Sequence, residues 1–207
     1  MSVAVASGRL HLALLAAWVV LFVLTGWAPK DRLTWVLEVA PAAAAVVALA
    51  ALHGRWRFTP LVLGLVFLHC AVLMIGAKYT YAEVPWFSWL RDEFGLSRNY
   101  YDRLGHFAQG FVPAMVAREI LLRNAVLERG RWLFFLVTCV CLAISATYEL
   151  VEWWVALASG DAAQAFLGTQ GDVWDTQWDM LLALCGAIVA QALLANIHDR
   201  QLGAGNP

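Results

Sequence analysis

The sequence predicts an all-α fold: one polytopic membrane bundle of about six transmembrane helices, with both termini in the cytoplasm. Three observations predict it. The chain of 207 residues is 62% hydrophobic, with a mean hydropathy of +0.67. Only 14% of it is charged, against about a quarter in a soluble domain, so a globule of this size lacks polar surface for water. The apolar residues also gather in runs close to the roughly 20 that a spanning helix needs. The net charge of -1 comes with no basic tract or nucleic-acid motif, which leaves a nucleic-acid partner without support.

Residues 1–207 read as a single integral membrane domain with spans at roughly 10–27, 33–52, 58–77, 103–122, 132–157 and 176–197. The first run is long enough to span and has no clear small-residue cleavage site behind it, so it reads as a retained helix and not a signal peptide. Between the third and fourth spans, residues 84–96 carry Pro85, Trp86, Phe87, Trp89 and Leu90, a segment suited to lying in the interface. Cys70, Cys139, Cys141 and Cys185 all fall in apolar runs without a C-x-x-C pair and read as buried thiols.

Orientation follows from Lys and Arg. With the N-terminus inside, eight basic residues (Arg9, Arg55, Arg57, Arg118, Arg123, Arg129, Arg131, Arg200) are cytoplasmic and six (Lys30, Arg32, Lys78, Arg91, Arg98, Arg103) are outside. The loop between the fourth and fifth spans is strongly basic, while residues 159–175 hold three Asp and no Lys or Arg. Trp27, Trp35, Trp86, Trp89, Trp153, Trp154, Trp174 and Trp178 would form a belt at the outer interface.

Ionisable groups inside a bilayer cost several kcal/mol unless paired or hydrated, so they mark candidate sites. Here they gather at one depth on the non-cytoplasmic side. Glu38 lies in the second span. Asp102 and His106 are four apart at the start of the fourth, with Gln109 one turn on. Tyr148, Glu149, Glu152 and Trp153 lie late in the fifth, and Asp175 and Asp179 open the sixth. Carboxyl groups with one imidazole suit a divalent metal such as Zn, Mn, Mg or Ca. The same set also suits acid/base chemistry or an ion path, and spacing alone does not choose between them. A metal would take His106, Glu149, Asp175 and Asp179. Catalysis would fall to His106, Glu149 and Asp102, and substrate contacts to Glu38, Tyr148, Glu152, Gln109 and Trp153. Structural readings stand beside these: Asp102, Asp172 and Asp175 as helix caps, His69 as bundle packing, and Arg118, Glu119 and Arg123 as an ion-paired cytoplasmic anchor. No G-x-S-x-G, H-E-x-x-H or phosphate-cradling Gly-rich loop is present.

Several stretches resemble the uncharacterised bacterial inner-membrane family typified by YjdF. They are GAKYTYAEVP (Gly76 to Pro85), RNYYDRLGHF (Arg98 to Phe107), QGFVP (Gln109 to Pro113), Arg118-Glu119, YELVEW (Tyr148 to Trp153), FLGTQGDVWD (Phe166 to Asp175) and Asp179-Met180. The resemblance implies a multi-pass protein of the bacterial inner membrane and supplies no mechanism. More loosely, Asp102-x-x-x-His106, Tyr148-Glu149 and the Asp-rich entry to the last span resemble VanZ-like membrane proteins of the cell envelope. The expectation is therefore a protein that binds or acts on a lipid or lipid-linked envelope molecule at the outer leaflet. As an enzyme it would be a metal-assisted hydrolase or transferase. The alternatives are a proton- or cation-linked transporter or flippase, and a structural or assembly role. Membrane lipids are the expected partners.

Overall fold

The computed structural model describes residues 8–54, 56–159 and 164–203. Arg55 and Asp161, which entered the charge reading above, lie outside them. The helices are α1 (Gly8–Gly26), α2 (Arg32–Leu52), α3 (Pro60–Lys78), α4 (Pro85–Phe94), α5 (Tyr101–Arg123), α6 (Arg131–Ser159), α7 (Gln164–Leu167) and α8 (Asp175–Gln201). There is no strand among the described residues.

Five helices (α1, α2, α3, α6 and α8) are long and apolar enough to cross a bilayer. Helix α5 is a sixth long helix, and its 23 residues extend about 34 Å at 1.5 Å per residue. It is too polar to qualify by composition, with His106, Gln109, Arg118 and Glu119 along it, for a physical reason. It packs against α3, α6 and α8, so most of its polar side chains face protein and not lipid.

The closest pairing is α5 with α8, which run parallel. Small residues make it possible. A Cβ added to Gly110 would collide with the Ala183 carbonyl, and one added to Gly186 with the Phe107 carbonyl. Ala114, Ala183, Ala187 and Ala190 are fully buried in the same seam. In a bilayer no hydrophobic force drives helices together, so close backbone approach of this kind supplies the packing energy.

A buried polar network ties the end of the bundle that carries Thr59, Glu119 and His198. Glu119 is 0% exposed. It accepts from the Thr59 backbone N–H at 3.0 Å, the Thr59 hydroxyl at 2.7 Å and Arg123 at 3.0 Å. Arg118, a pure donor, sits 2.9 Å from His198 Nδ1, which must accept. The His198 proton is thereby fixed on Nε2, 3.1 Å from Glu119. Arg118 also pairs with Asp199 at 2.9 Å. The expected Arg–Glu anchor is thus a network across α3, α5 and α8.

Two short helices lie at the opposite end. Helix α4 buries none of its residues, exposes Trp86 and Trp89, and ends at Gly95 in the left-handed region. Helix α7, too short to leave a periodic signal, packs across α2 and α6. Trp27, Trp153, Trp154, Trp174 and Trp178 are exposed at this end as well.

Candidate functional site

At the α4 and α7 end, two guanidinium groups gather the aspartates. Arg98, on the turn before α5, donates to Asp175, to Asp102 Oδ2 at 3.1 Å and to the Gly168 carbonyl at 3.1 Å. Arg103, in the first turn of α5, donates to Asp179, to Asp175 Oδ1 at 2.7 Å and to Asp172 Oδ2 at 3.0 Å. Asp172 also accepts from the Trp174 backbone N–H at 2.9 Å. Asp102 and Asp175 lie in the first turns of α5 and α8 but make no cap bond: the N-caps are Tyr100 and Trp174, without a side-chain cap bond, and Asp172 alone accepts a backbone N–H at the entry to α8. Asp102 and Asp175 turn to the arginines instead.

The loops are pinned by amides. The Asn99 backbone N–H donates to Gln170 Oε1, and Gln170 Nε2 returns a bond to the Asn99 carbonyl, each at 2.9 Å. The Asn99 side chain donates to the Val84 carbonyl and to Ser88 Oγ, both at 3.0 Å, which secures α4.

His106 stands beside this cluster. On one side its Nε2 faces Asp102 Oδ1 at 3.4 Å and Asp179 Oδ2 at 3.8 Å. On the other its Nδ1 lies 3.2 Å from Gln109 Oε1 and 3.9 Å from Glu149 Oε1. Two sets of ligand-type side chains are close enough to hold a metal: Asp102, His106 and Asp179, and His106, Glu149 and Glu152. A few residues away, the Tyr148 hydroxyl donates to Glu38 Oε2 at 3.1 Å, joining α6 to α2.

These groups form one end of a cavity of about 540 Å³ walled by α2, α3, α5 and α6. Its polar end presents Glu38, Tyr81, Asp102, His106, Tyr148 and Glu152, and the remainder, from Ala45 to Leu52 and Phe58, is almost wholly apolar. Between Glu38 and Leu52 the cavity follows α2 for about 21 Å. Helices α2 and α6 make no extensive contact with each other beyond the Tyr148–Glu38 bond, and α7 packs against both. Pro41 and Pro113 both line the wall. Each removes the N–H that the carbonyl four residues earlier would accept, freeing acceptors at Leu37 and Gln109. Tyr81 sits in a tight turn with Thr80 and Tyr81 both in the left-handed region (φ 56° each), a costly choice for residues other than glycine. Its ring fits against Gly76 and Gly105, where a side chain would clash or crowd it. Burial, reinforced by Glu38, pushes the Tyr81 phenol well above its ordinary pKa, so it stays a hydroxyl.

The sequence-derived residues therefore divide. Glu38, Asp102, His106, Gln109, Tyr148 and Glu152 meet at the polar end of the cavity, with Glu149 behind His106. Asp179 bridges His106 and Arg103. Asp175 belongs to the arginine cluster and to neither metal-competent set. Trp153 is 55% exposed and does not line the cavity. His69 does line it, between the polar end and the apolar tail, and its Nε2 has no hydrogen-bond partner. From the sequence alone, Arg98 and Arg103 are outer-face charges and nothing more. The missed signal was local: Arg103 sits in the first turn of a helix, where a cation opposes the helix dipole. A cation there implies partners strong enough to hold it.

The comparisons with known proteins agree with the architecture. The family described as "Predicted membrane protein (DUF2238)" matches residues 10–200. The chain belongs to the DUF2238 family. Among curated proteins, this DUF2238 chain is 53% identical to "Inner membrane protein YjdF" of Escherichia coli (strain K12) over 182 residues, covering 88% of the chain and 87% of that protein. No solved structure matches. This DUF2238 chain is a multi-pass inner-membrane protein, and the family description carries no activity.

Proposed function

We propose that this protein takes a lipid or lipid-linked envelope molecule from the outer leaflet, holding its headgroup among Glu38, Asp102, His106, Gln109, Tyr148 and Glu152. The observation that carries the reading is the polarity of the cavity: one end is built from ionisable and hydroxyl groups, and the other is apolar for several helical turns. An amphiphile matches that division, because each part meets its own solvent. Entry from the bilayer would run between α2 and α6, which make no extensive contact, and α7 packs against both. The outer-leaflet assignment rests on the bias of Lys and Arg, and the VanZ-like features of the last three spans add an envelope setting. A transport path would need polar groups continuing to the far end, and beyond His69 the cavity wall is apolar.

Native mass spectrometry of the detergent-purified protein tests this. The parent should retain a bound lipid. Ala45→Trp, in the tail of the cavity, should displace it, and Ala117→Trp, nearer the far end, should shift the bound population to shorter chains. A parent that carries no lipid in any mild detergent, or Trp variants with an unchanged lipid complement, would refute the reading.

A further inference from the structure

We infer that His106, Glu149 and Glu152 bind one divalent transition-metal cation, with Gln109 Oε1 beside them as a fourth donor. The acidic groups at this end of the bundle are of two kinds. Asp102, Asp172, Asp175 and Asp179 all lie within ion-pair distance of Arg98 or Arg103. Glu149 and Glu152 have no Lys or Arg within that distance among the described residues. Glu149 is 8% exposed, and its Oε1 is buried without a hydrogen-bond partner. It points at His106, 3.9 Å from Nδ1. A buried carboxylate oxygen without a partner is costly, and a cation among these donors removes the cost.

The two sides of the imidazole give the site its direction. A histidine that ligates a metal usually donates its other ring N–H to a carboxylate, which sets the tautomer and the ring orientation. Here Nε2 faces Asp102 Oδ1 at 3.4 Å, and Asp102 is itself anchored through Oδ2 by Arg98 at 3.1 Å. That is the supporting side. The Nδ1 side carries lone pairs only: Gln109 Oε1 at 3.2 Å, then Glu149, with Glu152 completing a set whose donor atoms lie within 4.8 Å of one another. One imidazole with carboxylates and an amide oxygen suits a borderline or hard ion, Mn²⁺ or Zn²⁺ before Cu⁺. His106 and Glu152 also line the cavity, so coordination positions not filled by protein face the headgroup end. The ligand class this implies is an anionic, phosphate-bearing headgroup. That last step rests on the lipid reading above, whereas the metal site stands without it.

The test uses the full-length protein in detergent, stripped with a chelator and titrated with Mn²⁺ while the free-ion resonance is followed. Zn²⁺ competition and thermal stability are measured in parallel. One Mn²⁺ per chain is expected. Glu149→Gln and Glu152→Gln should each weaken binding at least tenfold without lowering the melting temperature of the stripped protein, and Asp172→Asn should leave binding unchanged. Asp102→Asn, which removes the supporting carboxylate, should weaken it about tenfold to a hundredfold. No Mn²⁺ or Zn²⁺ binding by the folded protein would overturn the inference, as would full binding in both glutamine variants. If neither variant folds, the parent decides: bound Mn²⁺ must show imidazole nitrogen coupling in its spin-echo spectrum, and its absence excludes the site. Native mass spectrometry on the same preparations separates the two readings. Metal without lipid refutes the lipid reading alone, and lipid without metal refutes this one alone.

Discussion

Replacing Arg103 by Gln tests whether the arginine–aspartate cluster holds the site end of the bundle together. The guanidinium reaches three carboxylates, Asp172, Asp175 and Asp179, and also the Asp175 carbonyl at 3.2 Å. Its side chain is only 10% exposed, so water replaces little of what is lost. Summing these bonds at about 1.5–3 kcal/mol each would overshoot, because such contributions are not additive. Asp175 keeps Arg98 in the variant. Asp179 does not: it is 2% exposed, loses the one guanidinium it meets among the described residues, and keeps only His106 Nε2 at 3.8 Å. The dominant cost is therefore one stranded buried carboxyl group, about 3–5 kcal/mol. Arg103→Lys keeps the charge but not the fork that serves three acceptors, and should fall between parent and Gln. Combining Arg103→Gln with Asp179→Asn removes the stranded group, and the double variant should recover about 1–3 kcal/mol relative to the sum of the singles. Reversible unfolding in mixed detergent micelles, followed by tryptophan fluorescence, measures these three variants and Asp179→Asn alone. A loss below about 1 kcal/mol for Arg103→Gln, or strict additivity in the double variant, would show that the cluster is not the clamp described here.

Two other substitutions probe the rest of the frame by the same assay. Gly110→Ala should cost about 3 kcal/mol, the upper end of the range for overpacking, since the added methyl meets the Ala183 backbone rather than a yielding side chain. Its control is Gly64→Ala on an open face of α3, which has nothing within 4 Å and should gain about 0.5–1 kcal/mol; equal effects at the two positions would refute the close-packed seam. Glu119→Gln replaces a four-bond acceptor with a group whose –NH₂ faces donors, and about 3 kcal/mol should be lost. A variant as stable as the parent would mean that the network at that end is ornamental.

The spanning helices were legible because hydropathy is a one-dimensional property: a run such as Pro60–Lys78 can hardly do anything but cross a bilayer. Helix α5 was legible for a subtler reason, since its length is right and its charges sit toward its two ends. What the sequence withheld was facing. Asp175 and Asp179 are four apart and share a helix face, yet Asp175 is held between two arginines while Asp179 reaches both Arg103 and His106. Glu149 and Trp153 are likewise four apart, and one is buried beside the imidazole while the other is exposed. Such splits depend on a few tens of degrees of helix rotation and on partners more than 40 residues away, which no local pattern encodes. The Asn99–Gln170 clasp was invisible for the same reason: its two halves are 71 residues apart.

The pairing of α5 with α8 also bears on how the chain enters the membrane. Helix α5 carries Asp102, Arg103, Arg118 and Glu119, and alone it would partition poorly into hydrocarbon. The groups that neutralise Arg103 lie 69, 72 and 76 residues later, and the Asp199 that meets Arg118 lies 81 residues later. During synthesis Arg103 therefore lacks Asp175 and Asp179, and Arg118 lacks Asp199, until α8 has emerged, so the integration of α5 is coupled to that of the last helix. Truncating the chain before Asp175 would remove more than one span: it would leave the central helix of the bundle with no stable place in the bilayer.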